Sequence, residues 1–157
     1  QDTVSGAGTS SDFNSVEGVL FVEISALREV NDNIQYMGLG SGTYTNNSVM
    51  IQLRSSANQI GVFVYSNGVN QGGQVITVSD ITSNTKIALK WKQNDFAIWA
   101  DGIEVFTDVT FDVPTVNSLN TLSFSRDGAQ NFFCKTSQVQ VFKTALTDAE
   151  LLTLTTI

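Results

Sequence analysis

The sequence predicts an all-β protein, a two-sheet antiparallel sandwich of jelly-roll type with one short C-terminal helix. Three observations predict it. Apolar runs of period two recur along the chain, about ten to twelve of them, separated by polar turns rich in Asn, Gly and Ser. Between Thr85 and Val109 three such runs follow one another through tight turns, as a meander does. Near the end, Thr147-Asp148-Ala149-Glu150 has the spacing of a capping box, a threonine hydroxyl for the Glu150 amide and a Glu150 carboxylate for the threonine amide.

The meander is the most regular of these stretches. Ile87, Leu89 and Trp91 alternate with Ala88, Lys90 and Lys92, which puts the first three on a core-facing side. After the turn at Gln93-Asn94-Asp95, Phe96, Ile98 and Ala100 alternate with Ala97 and Trp99. Asp101-Gly102 then accepts positive φ at both centres of a two-residue turn, and Ile103 to Phe106 doubles back. Three strands cannot shelter an apolar face alone, so a second sheet is required.

The rest of the chain supplies it. Residues 1–12, with Gly6, Gly8 and a Ser/Thr cluster, have nothing to bury and read as a linker or edge arm, leaving 13–157 as a single domain. Gly18 to Leu27 is apolar on both faces, as a central strand is. Gln35 to Leu39 is a short strand, followed by an exposed turn that carries Tyr44, Asn46 and Asn47. Val49 to Leu53 and Gln59 to Tyr65 form a hairpin, and Asn67-Gly68 with Gly72-Gly73 brackets a tip before Val75 to Val78. The crossing from Thr107 to Ser118 holds the only proline, Pro114, which marks an edge or a turn. Thr121 to Phe124 and Phe133 to Phe142 complete the strands; the second splits imperfectly, with Val139 and Val141 on one face and Cys134 on the other. Leu151, Leu152 and Leu154 follow the capping box as a helix.

Charge and composition narrow the function. With 8 basic against 15 acidic residues, a net charge of −7 opposes nucleic acid and anionic membrane surfaces unless Arg28, Arg54 or Arg126 is locally concentrated. No run is long and apolar enough for membrane insertion. A single cysteine excludes an intrachain disulfide. The chain has no histidine, which removes the usual general base, the imidazole-dependent triads and most zinc sites. Glu23 stands among apolar neighbours, and Glu104 has only Asp101 nearby. Neither has the paired-carboxylate spacing of a glycosidase, so the chain reads as no enzyme.

The segments Leu89 to Val105 and Leu122-Ser123-Phe124, with Val139 to Leu154 (VQVFKTALTDAELLTL), resemble the laminin-G-like branch of the concanavalin A-like lectin/glucanase fold. Val4 to Gly8 and Phe13 to Leu27 are similar to modules of bacteriophage tail and tail-fibre proteins. The resemblance implies a jelly roll on a virion tail or extracellular surface, whose loops or concave sheet contact a cell-surface glycan. Its other partners would be virion proteins and further copies of itself, as a homo-oligomer. A purely structural virion module is the alternative, and a polysaccharide-cleaving enzyme a distant third.

A glycan site needs an aromatic platform for the sugar's C–H face and planar polar groups for its hydroxyls. Trp99 is the first candidate, since the alternation turns it away from the face of Phe96 and Ile98; a mid-strand tryptophan otherwise covers a neighbouring element. Tyr44, Asn46, Tyr65, Asn67, Arg126 and Asp127 fall at loops, where adaptable hydrogen bonding and exposed aromatics serve recognition. Calcium is the one cofactor left open, because members of this fold hold it at the rim. Asp32, flanked by Asn31 and Asn33, and Asp127 with Asn131 are the oxygen-rich loops. Asn and Asp also occupy turns for backbone reasons alone.

Overall fold

The computed structural model describes residues 7–29 and 33–156. Among them are eleven strands: β1 (Glu17–Ala26), β2 (Gln35–Gly40), β3 (Ser48–Leu53), β4 (Gln59–Ser66), β5 (Val69–Asn70), β6 (Gln74–Thr77), β7 (Thr85–Lys92), β8 (Phe96–Ala100), β9 (Ile103–Asp108), β10 (Thr121–Ser123) and β11 (Cys134–Phe142). One helix, α1 (Asp148–Thr155), closes the chain. The strands form two antiparallel sheets, β11-β1-β7-β8-β9 and β10-β2-β3-β4-β5, with β6 also on β4. This is the two-sheet jelly-roll sandwich with a terminal helix that the periodicity predicts.

The core lies between the sheets and follows the alternation residue by residue. Leu20, Val22 and Ile24 of β1, Ile87, Leu89 and Trp91 of β7, and Phe96 and Ile98 of β8 meet Met37, Leu39, Val49, Ile51, Leu53, Ile60, Val62 and Val64 of the other sheet. Each fully buried Leu or Ile contributes about 1.5–3 kcal/mol against the entropy of ordering the chain. Phe96 stacks on Phe111, ring centroids 4.7 Å apart, so the crossing after β9 closes one side of the core.

The turns behave as their residues require. Asp101 (φ 47°) and Gly102 (φ 79°) make the two-residue turn between β8 and β9, and Asn67 (φ 50°) and Gly68 (φ 81°) make another between β4 and β5. The supposed tip is therefore a tight hairpin. In β11, Gln138 pairs with Glu23 and Thr136 with Ile24, which leaves Ser137 unpaired as a bulge. The extra residue resets the alternation, so Cys134 packs on the core beside Val139 and Val141 instead of facing away.

The outer faces of the two sheets differ. On the first sheet, Val19, Phe21, Ala88, Ala97 and Trp99 form an apolar patch that α1 covers with Leu151, assisted by Leu146, Leu154 and Phe142. The capping box fixes the helix start: the Thr147 amide donates to the Glu150 carboxylate at 2.8 Å, and Thr147 Oγ1 accepts from the Glu150 amide. Lys90, almost buried, holds the helix to the sheet through Asp148 (3.3 Å) and also pairs with Asp95 (2.7 Å). Burial of the ammonium pulls its pKa down, but the two carboxylates outweigh it and leave it raised.

Candidate functional site

No helix among the described residues covers the outer face of the second sheet. Strand register sets the side chains of that face in rows: Thr121, Gly40, Ser48 and Tyr65; then Ser123, Gly38, Met50 and Phe63; then Tyr36, Gln52, Gly61 and Val75. Tyr36, Tyr44 and Met50 pack as a small cluster with Ile34, Phe63 and Tyr65 at its margin. Phe63 and Tyr65 remain half-buried, so their rings are partly open to solvent.

Neighbouring side chains fill the space above the glycines of this face. A Cβ at Gly61 would come within 2.6 Å of Gln52 Oε1, so the Gln52 amide lies over that position. A Cβ at Gly40 would lie 2.8 Å from the Tyr44 ring. The 41–47 loop thus folds Tyr44 back over β2.

Two guanidiniums flank the Tyr36–Gln52 row. Arg126 Nη1 donates to the Tyr36 hydroxyl at 3.1 Å, and the guanidinium carbon stands 5.1 Å from the Tyr36 ring centroid. Arg126 Nε and Asp127 are 3.7 Å apart with both side chains partly exposed, a weak pair in water. Arg54, two residues beyond Gln52 and on the same face, donates from Nη1 to Gln52 Oε1 at 2.9 Å. The face therefore carries two planar cations beside a buried Tyr36 (5% exposed) and Gln52 (4% exposed), with the half-buried rings of Phe63 and Tyr65 further along β4.

The sequence candidates divide. Tyr65 and Arg126 belong to this face. Tyr44 lies beside it but is 3% exposed, not in an exposed turn; burial raises the pKa of its hydroxyl, against a pull downward from Ser123. Asp127 Oδ1 accepts from the Tyr44 amide, which ties the 126–129 turn to the 41–47 loop. Asn46 and Asn67 are exposed at the far end of the sheet and serve the backbone there: the Asn46 carbonyl accepts from Gly68, and Asn67 Oδ1 accepts from Thr115. Trp99 is 8% exposed beneath α1 on the other sheet. It faces away from the core as the alternation requires, but the helix occupies the surface where a sugar would stack.

The calcium reading gains no convergent set of ligands. Asp32 lies outside the described residues, Asp127 is engaged as described, and Asn131 lines a cleft at the sandwich end. Among the described residues no group of three acidic, His or Cys side chains comes together. Glu23 on β1 accepts from Asn84, whereas Glu104 on β9 stands opposite Trp99, with two strands between them. Burial pushes the Cys134 thiol up to about 11, so it is no thiolate nucleophile at neutral pH.

Tyr36, Gln52 and Phe63 were missed from the sequence. Their signal is faint: Tyr36, Gly38 and Gly40 alternate with core residues, as Gln52 and Arg54 do, and a polar or small residue every second position marks a face that is not core.

Solved structures share this architecture. The CBM40 of the Ruminococcus gnavus IT-sialidase, bound to alpha2,3 sialyllactose, superimposes with a TM-score of 0.69 at 14% identity, covering 99% of this chain and 97% of that one. Domain 4 of AbnA, a GH43 extracellular arabinanase from Geobacillus stearothermophilus, in complex with arabinotriose, gives 0.69 at 10% identity over 94% of this chain and 70% of that one. A leech intramolecular trans-sialidase gives 0.66 at 20% identity; the match spans all of this chain (100%) and 27% of the enzyme. At these identities the likeness is one of fold. No family model and no curated protein matches the chain.

Proposed function

We propose that this domain is a non-catalytic binding module for a carboxylate-bearing glycan, held on the outer face of the β2-β3-β4 sheet. The observation that carries the reading is the pairing of Arg54 and Arg126 around Tyr36 and Gln52. In a chain of net charge −7, this is the local concentration of arginine that lets an acidic ligand bind. A guanidinium meets a sugar carboxylate through parallel N–H bonds, Gln52 orients the Arg54 guanidinium from beneath, and Phe63 and Tyr65 offer rings to the C–H face. The solved CBM40 structures bound to sialyllactose support the same ligand class on this architecture.

Shallow sites of this kind bind weakly, at roughly millimolar to micromolar Kd. We place the module outside a cell or on a virion tail, on the sequence resemblance to phage tail proteins, where several copies on one fibre would supply avidity. Calorimetry with alpha2,3 sialyllactose against lactose tests the first part: tighter binding of the acidic sugar supports it, equal affinity for the two contradicts it, and silence across acidic host glycans leaves a structural virion module. Comparing monomeric with multimerised domain on host cells tests the second, since equal binding by both contradicts avidity.

A further inference from the structure

At the end of the sandwich, where β1 finishes, β2 begins and the 126–133 segment passes, lies a cleft of about 550 Å³. That volume is in the range of small-molecule sites, roughly 300–1,000 Å³. Its walls carry Leu27, Arg28, Asn33, Gln130, Asn131 and Phe133. Leu27 is 62% and Phe133 46% exposed, so apolar surface stands open beside polar groups. Among the described residues Arg28 is the one charged side chain in the lining, and it is already engaged by another group of the protein, which leaves the amides as the polar groups facing a ligand.

The geometry points to a second carbohydrate subsite in this cleft, one that takes an uncharged, hydroxyl-rich sugar unit. The donors fit the ligand. A primary amide presents two N–H donors beside a carbonyl acceptor, and a sugar hydroxyl both donates and accepts, so Asn33, Gln130 and Asn131 can each serve hydroxyls whichever way these turn. Phe133 supplies the platform for a C–H face. Its backbone is fixed, because Gln35 Oε1 accepts from the Phe133 amide at 2.7 Å.

The cleft adjoins the sheet face without being part of it. Gln130 lines the cleft, while its carbonyl accepts from the Tyr36 amide at 3.1 Å, and the Tyr36 side chain holds Arg126 of the same segment. Ile34 lies between them, lining the cleft and packing against the Tyr36 cluster. A glycan with its acidic unit at Arg126 can therefore run round the sheet end and lay a neutral unit against Phe133. This extends the proposed glycan reading, and the test lets either fail alone.

The intact domain is titrated with N-acetylneuraminic acid and, separately, with lactose, maltose and cellobiose, following side-chain amide signals by NMR. The neutral disaccharides are expected to move the Asn33, Gln130 and Asn131 amides and leave Gln52 still, and the acid to do the reverse. Phe133→Ala should weaken disaccharide binding about tenfold, the loss of one stacked ring, with N-acetylneuraminic acid unaffected. Neutral sugars that shift none of the three amides, or a Phe133→Ala variant that binds them as wild type, overturn the cleft assignment. Amide shifts with neutral sugars alongside silence to the acid uphold the cleft and sink the sheet-face reading.

Discussion

Replacing Arg126 separates what the residue does for the fold from what it does for a ligand. In the folded protein the Arg126 side chain donates to Tyr36 at 3.1 Å, stands 5.1 Å from that ring's centroid and pairs weakly with Asp127 at 3.7 Å, with about 30% of it still exposed. A partly exposed cation–π contact and a neutral-partner hydrogen bond together contribute about 1 kcal/mol net, so Arg126→Ala should lower the melting temperature only modestly. A hydrogen bond to a carboxylate is worth more, about 1.5–3 kcal/mol, which is roughly a 10- to 100-fold loss in affinity for an acidic sugar. Arg126→Lys keeps the charge but loses the planar fork and the stacking on Tyr36, and should fall between wild type and alanine. Tyr36→Phe keeps the ring and removes the hydroxyl that orients the guanidinium, a smaller loss that leaves charge unchanged. The assay is calorimetry with alpha2,3 sialyllactose at two salt concentrations, beside thermal melts of each variant. If Arg126→Ala binds as wild type while remaining folded, the sheet-face reasoning is refuted; if lysine restores full affinity, point charge and not the fork is what matters.

Three further predictions concern the scaffold. Leu151 is fully buried, so Leu151→Ala should cost about 2–5 kcal/mol in denaturant unfolding and red-shift the emission of Trp99 as α1 lifts; unchanged fluorescence would mean that the helix does not seal that face. Gly102→Val places a β-branched residue at φ 79° with its Cβ 3.3 Å from Thr156 Oγ1, and should destabilise by about 1–2 kcal/mol, read from the same unfolding curves. Hydrogen bonds from Thr147 hold the Glu150 carboxyl below its ordinary pKa, and bonds from Thr82 and Ser83 hold Asp80 at about 2. A depressed carboxylate stabilises above its unfolded pKa and loses that contribution as pH falls through the folded one. Stability should therefore decline from the ordinary carboxylate range towards about pH 2, and Thr147→Ala, about 1 kcal/mol less stable at neutral pH, should narrow its gap to wild type in acid.

What the sequence determined by itself was whatever depends on neighbours a few residues away. Asp101-Gly102 accepts two positive φ values wherever it occurs between alternating runs, and Thr147 reaches Glu150 because one helical turn brings them together. Period two assigned Ile87, Leu89, Trp91, Phe96 and Ile98 to the core because a strand has only two faces. It also turned Trp99 outward correctly, but alternation cannot say what lies on an outer face. Covering Trp99 with α1 required a helix some fifty residues later in the chain to pack back over the first sheet, a choice made by apolar area and the Lys90–Asp148 pair. One unpaired residue, Ser137, was enough to put Cys134 on the side opposite the one its parity indicates. Tyr44 shows the same limit: its loop is polar by composition, yet the space above Gly40 draws the ring onto the sheet. The candidate site is mostly of this second kind: Tyr65 and Arg126 were legible as loop candidates, but the groups they stand beside were not. Arg54 and Arg126 are unremarkable loop-edge cations in sequence, and only the pairing of β2 with β3 and the return of the 126–129 turn set both beside Tyr36 and Gln52. Binding chemistry of this sort depends on groups converging through space, and strand order and register decide that convergence.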